Sequence, residues 1–189
     1  MNKRTFAFLA IAALTVCNAS PSLSAPTSTP APAATPLVFD DAAIHFVVPA
    51  GFSRIPAPMP EIGEHLTPAA GYIKNPGQND VQLITVSMMS YGGGGTDGWE
   101  SRAEQELRGQ IDGALIKRTN APLKNGMPAY WLKVQYGDGF EAMEQFGYVV
   151  FDGRRGIYVA IGGHVSSIDE NMAKEALSNL AVVVYPRGR

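Results

Sequence analysis

The sequence predicts an α+β fold: one antiparallel β-sheet with helices packed on its faces. Three observations carry this. Apolar residues alternate with a period of two in several short stretches between residues 44 and 162, the pattern of strands with two distinct faces. Two other stretches, one after Asp97 and one after Ser167, carry apolar residues at near-helical spacing behind capping residues. Strands come in runs before, between and after those helices, an order that favours an antiparallel sheet over a parallel βαβ array. Hydrophobic residues make up 46% and charged residues 17% of the 189-residue chain. That is enough apolar material for one domain-sized core.

Residues 1–24 read as an export signal. Lys3 and Arg4 form a basic start, and Phe6 to Cys17 is an apolar run broken only by Thr15. That run has 12 residues, whereas a membrane-spanning helix needs ~20, so it suits a signal-peptide core. Cleavage after Ser24 would put Ser22 at −3; cleavage after Ala19 would put Cys17 there. Leu14-Thr15-Val16-Cys17 offers a second reading, because it resembles a bacterial lipobox with Cys17 as the lipidated residue. It departs from that pattern at Val16. The expected location is therefore the periplasm or the medium, with a membrane-anchored lipoprotein as the alternative. Residues 25–36 read as a Pro/Ala/Thr-rich disordered linker, with prolines at 26, 30, 32 and 36. Such a segment is extended and solvated. No later apolar run is long enough to span a bilayer.

The domain is expected over residues 37–185, with a tail at 186–189. Ile44, Phe46 and Val48 alternate with His45 and Val47, and Pro49-Ala50-Gly51 ends that strand. Gly71 to Lys74 reads as a short strand. Val81 to Ser90 reads as a longer one with apolar groups on both faces, hence a central strand covered on both sides. Tetraglycine 92–95 follows. Asp97 then caps a helix with Glu100 at its third position, and Trp99, Ala103, Leu107, Ile111 and Leu115 recur every four residues. That spacing predicts a helix to about Leu115. Asn125-Gly126 reads as a turn. Ala129 to Tyr136, Phe140 to Asp152 and Gly156 to Gly162 read as a three-stranded meander joined by glycine-containing turns. Ser167 is expected to cap a second helix with Ile168, Met172, Ala176 and Leu180 as its apolar stripe. Val182 to Tyr185 reads as a closing strand.

Three stretches together resemble the PsbP-like superfamily: Ile44 to Phe52 (IHFVVPAGF), the capped helix from Asp97, and Asn125 to Val134 (NGMPAYWLKV). The resemblance covers most of residues 38–185. It implies an α/β/α sandwich around an antiparallel sheet, and an accessory or binding role. It carries over no catalytic residue, because the shared pattern contains none.

Charge and composition exclude several chemistries. There are 15 basic and 17 acidic residues, net −2, which gives no reason to expect a nucleic-acid binder. One cysteine leaves no internal disulfide, redox pair or cysteine zinc site. The glycine loop lacks the GxxxxGK[ST] order of a phosphate cradle, and Asp97 sets a negative charge at the helix start. Glu61, Glu64 and His65 form an E-x-x-E-H group without the first histidine of the H-x-x-E-H zinc helix, among prolines. It reads as an exposed polar loop and not as a metal site. His164 lacks a G-x-S-x-G partner motif. Trp99, Trp131, Tyr130, Tyr136, Tyr148 and Tyr158 line either a pocket or the core. Arg154-Arg155 reads as a solvated hairpin tip.

The resulting expectation is an exported, non-enzymatic accessory or interaction module with an envelope protein as partner. No cofactor or metal is implied. Candidate binding residues are Tyr91, Gly92, Gly93, Gly94, Gly95 and Trp99, as a loop that orders on binding, since four glycines lose much backbone entropy when fixed. Two alternatives stand beside it. One is an envelope hydrolase with a site assembled from distant residues such as Glu141, Glu144 and His164. The other is a carrier of small apolar ligands, to which seven methionines would be suited.

Overall fold

The computed structural model describes residues 37–41, 43–59, 66–89, 99–111, 113–139, 142–153 and 155–183. A seven-stranded antiparallel sheet forms the body. Its strands are β3 (Ser53–Arg54), β4 (Leu66–Lys74), β5 (Gln82–Met89), β6 (Leu115–Asn120), β7 (Ala129–Tyr136), β8 (Met143–Phe151) and β9 (Gly156–His164). They lie in the order β3-β4-β5-β9-β8-β7-β6. A second sheet of three strands combines β1 (Val38–Asp41), β2 (Ile44–Val47) and β10 (Ala181–Val182) in the order β1-β2-β10. Among the described residues the helices are α1 (Trp99–Gln110) and α2 (Glu170–Ala176).

Alternation along the strands divides the large sheet into two faces. On one, Tyr72, Ile84, Val86, Trp131, Phe146, Val159 and Ile161 are buried with Ile44, Phe46 and Val182 of the small sheet and Ala173 of α2. On the other, Leu132, Val134, Val149, Tyr158 and Ala160 are buried with Leu107 of α1. The first is the α2 face and the second the α1 face. Strand β5 runs between β4 and β9 with apolar residues on both sides, as its sequence predicts. The meander β7-β8-β9 also follows the expected order, and β7 has the expected ends. Among the described residues no helix is long and apolar enough to cross a membrane.

The protein holds more sheet than the sequence pattern indicates. Three strands go unannounced: β1, β3 and β6. The first helix ends at Gln110 instead of running to Leu115. Gly113 has φ +72°, which reverses the chain, and Leu115 opens β6 with 69% of its surface exposed. The second helix is capped by Asp169, whose carboxylate accepts from the backbone N–H groups of Asn171 and Met172. Ser167 sits in the preceding turn and donates to the His164 carbonyl. With the cap moved by two residues, Ala173 and Leu177 face the core and Met172 faces solvent. The α2 face is thus covered by a short helix together with a second sheet.

Candidate functional site

Charged and aromatic side chains concentrate at the β6–β7–β8 end of the large sheet. Period-two alternation in β7 puts Trp131, Lys133 and Gln135 on the α2 face. The register sets them opposite Tyr148, Phe146 and Glu144 of β8. Glu144 is buried, at 5% exposure. A buried carboxylate needs a counter-charge and donors, and β7 supplies both. Lys133 Nζ lies 2.6 Å from Glu144 Oε1, and Gln135 Nε2 donates to the same oxygen. Lys133 Nζ also sits 5.3 Å from the centre of the Phe146 ring.

Helix α2 completes this surface. Glu170 and Lys174 are one turn apart and pair at 2.8 Å, the favoured i,i+4 order. Lys174 Nζ lies 5.6 Å from the Trp131 ring centre. Trp131 packs edge-on against Tyr148, with centroids 4.7 Å apart at 65°. It is also stacked at 24° on Phe146, 6.2 Å away. The hydrogen bond from Lys174 holds the Glu170 carboxyl below its ordinary range, with smaller contributions from the Lys174 charge, the nearby Trp131 indole and the Lys133 charge. The Trp131 indole N–H closes no hydrogen bond of ordinary geometry. Burial raises the Tyr148 phenol, and the charge of Lys174 opposes that rise.

A cleft of ≈ 340 Å³ opens at this end. Arg108, Leu115, Ile116, Lys117, Lys133, Gln135 and Glu170 line it. Arg108 reaches it from the last turn of α1, holding Glu104 at 2.8 Å and the Ala114 carbonyl at 3.4 Å. The cleft is therefore basic, with one carboxylate and two apolar walls.

Cys17, Glu61, Glu64, His65, Tyr91, Gly92, Gly93, Gly94, Gly95, Glu141 and Arg154 lie outside the described residues. Trp99 opens α1, and its side chain is likewise outside them. Glu144 and His164 do not meet. Glu144 pairs in register with Gly163, and His164 with Met143. Neighbouring pairs point to opposite faces, so the sheet itself separates the two side chains. Trp131 and Tyr158 are core residues at 2% exposure each. Asp152, fully buried, holds Arg155 at 3.0 Å across the hairpin turn. His45 points to solvent, as its alternation predicts, 3.8 Å from Asp40.

Sequence reading missed Lys133, Gln135, Glu170 and Lys174. A signal was present: Trp131, Lys133 and Gln135 form a polar-aromatic face on a strand whose other face is apolar. Their meeting with Glu144 depends on the β7–β8 register.

Comparisons with known proteins give little beyond this geometry. No family model and no curated protein matches the chain. Among solved structures, the chain is similar to the protein of unknown function PA94 from Pseudomonas aeruginosa, a candidate regulator. The identity is 12% and the TM-score 0.46, over 82% of this chain and 100% of that one.

Proposed function

We propose that this chain is an exported, non-enzymatic accessory or interaction module that recognises an envelope protein at the β6–β7 cleft. Placement in the PsbP-like superfamily and a periplasmic location belong to the same proposal. The observation that carries it is that the two carboxylates at and beside the cleft are each taken up by a neighbouring lysine. Glu144 is taken up by Lys133 and Gln135, and Glu170 by Lys174. A carboxyl serving as general acid near neutral pH needs a raised pKa. Glu170 is shifted the other way. What the cleft offers is shape, the cations Arg108 and Lys117, and the apolar walls Leu115 and Ile116. Those are the elements of recognition more than of bond cleavage.

The test is site-directed photo-crosslinking in the cells that make the protein. A photoreactive residue at position 115, on the exposed cleft wall, should give one dominant adduct with an envelope protein other than a second copy of this chain. The same residue at position 76, in the exposed turn after β4, should not. Equal labelling at both positions, or none at either, would overturn the reading.

A further inference from the structure

Among the described residues, each of the two sheets ends in a strand that pairs on one side only. At one end is β6, and at the outer side of the small sheet is β1. Hydrogen-bond parity shows which backbone groups face outward. The N–H of Ala121 donates to Ala129, so odd residues of β6 point toward β7. Ile116, Arg118 and Asn120 then point their N–H and C=O groups outward. The Ile116 carbonyl meets the Arg108 guanidinium there, at 3.4 Å. In the small sheet, Val48 donates to the Leu37 carbonyl. Odd residues of β1 therefore face β2, and Val38 and Asp40 present their backbone outward.

The two edges carry opposite charge. β6 has adjacent Lys117 and Arg118, both exposed. β1 has adjacent Asp40 and Asp41, and the Asp40 side chain is 73% exposed. Antiparallel pairing of these edges with Asp40 opposite Arg118 sets Asp41 opposite Lys117 and Val38 opposite Asn120. In that register every outward backbone group of Val38 and Asp40 meets one of Asn120 or Arg118. Asp40 also shares a face with Arg118. Pairing like with like is disfavoured by charge: β6 against β6 doubles the positive charge at the seam, and β1 against β1 doubles the negative.

We propose that a second copy of this chain docks its β1 edge on the β6 edge, by addition of one strand to another. This goes beyond the partner reading, since it needs no other protein. Each copy owns one acidic and one basic edge, so the contact is head-to-tail and can propagate or close into a ring. Charge on an edge strand ordinarily prevents such pairing. Here the charges block the symmetric pairings and leave the mixed one open. Glu104, 3.6 Å from Arg118, competes with the incoming Asp40, and four residues of strand make a short ladder. The association is accordingly weak and salt-sensitive.

Analytical ultracentrifugation of the purified mature chain tests this. At low ionic strength the average mass should rise with concentration. It should return to the monomer near ~0.5 M salt, where the screening length is a few Å. Lys117→Glu with Arg118→Glu should weaken association at least tenfold, as should Asp40→Lys with Asp41→Lys. Lys117→Glu alone, at an exposed position, should weaken it in the same direction. The decisive sample mixes two defective chains. In one, Asp40→Pro blocks the β1 edge; in the other, Arg118→Pro blocks the β6 edge. Each removes an outward N–H without creating a new complementary charge. Each chain should be monomeric alone, and together they should form a one-to-one dimer and no larger species. A monomer at every concentration in low salt would overturn the proposal. So would association that the edge substitutions leave unchanged. Either result leaves the crosslinking test of the partner site standing.

Discussion

Glu144 shows how a single buried carboxylate shapes its surroundings. Its side chain is 7% exposed, while that of Lys133 is 31% exposed. The two members of the pair are therefore unequal. Lys133→Met leaves a buried carboxylate held by Gln135 alone. We expect a loss near the lower end of the ~3–5 kcal/mol typical of a broken buried pair. Glu144→Gln leaves a lysine that can reach water, and should cost clearly less. Urea unfolding of both variants checks the order; equal losses would show that Lys133 is as desolvated as its partner. Glu170 behaves differently because it is 43% exposed and paired on the surface. Its folded pKa lies below its unfolded value. Its stabilising contribution is thus complete above the unfolded value and is lost as pH falls through the folded one. Stability should drop on acidification through the carboxylate range, and Glu170→Gln should flatten part of that drop. Solvent screening keeps the effect small, and added salt should shrink it further.

At the scale of elements, glycines decide where α1 stops. Gly109 lies inside the helix, and a Cβ at that position would meet nothing within 4 Å. Gly109→Ala should therefore stabilise the protein by ~0.5–1 kcal/mol. Gly113 also has free space, but its φ is +72°. Gly113→Ala should destabilise by ~1 kcal/mol, because an L side chain resists that backbone. Thermal melting should show shifts of opposite sign for the two. The same residue explains what the sequence conceals here. Spacing of four continues from Leu107 through Ile111 to Leu115, so periodicity alone extends the helix across the turn. Strand β7 was legible in full because its alternation and its bounding turns agree. β1 was not, since Val38-Phe39-Asp40-Asp41 gains its strand only by pairing with β2. For α2, both Ser167 and Asp169 are competent caps by residue type. The preceding turn selects Asp169, as it draws the Ser167 hydroxyl back to His164. Asp169→Ala should cost ~1 kcal/mol, and Ser167→Ala less, by the same melting assay. The polar surface of the site was half visible: β7 alternation shows its lysine and glutamine, but only the register brings Glu144 to them.

At the scale of the whole molecule, the two ends of the domain close on each other. β2 near the start pairs with β10 near the end, and both pack on the α2 face of the large sheet through Ile44, Phe46 and Val182. Asn179 pins this closure. Its Oδ1 accepts from the Val47 N–H, and its Nδ2 donates to the Val47 carbonyl, both at 2.9 Å. Asn125, in the turn before β7, adds a bond from Nδ2 to the Val182 carbonyl at 3.1 Å. The small sheet therefore depends on contacts far apart in sequence, whereas the meander β7-β8-β9 is built from neighbours. Loop closure of that length must be completed before its contacts stabilise anything. The small sheet should thus be the first part to open under native conditions. Asn179→Ala removes both bonds to Val47 while leaving the buried residues in place. Amide exchange should rise in β1, β2 and β10 by roughly tenfold, the equivalent of ~1.4 kcal/mol of local stability. Protection in β5, β8 and β9 should change little, because those strands are flanked on both sides within the large sheet. A uniform increase across both sheets would show instead that the domain opens as one unit, with its closing strands as firmly held as its centre.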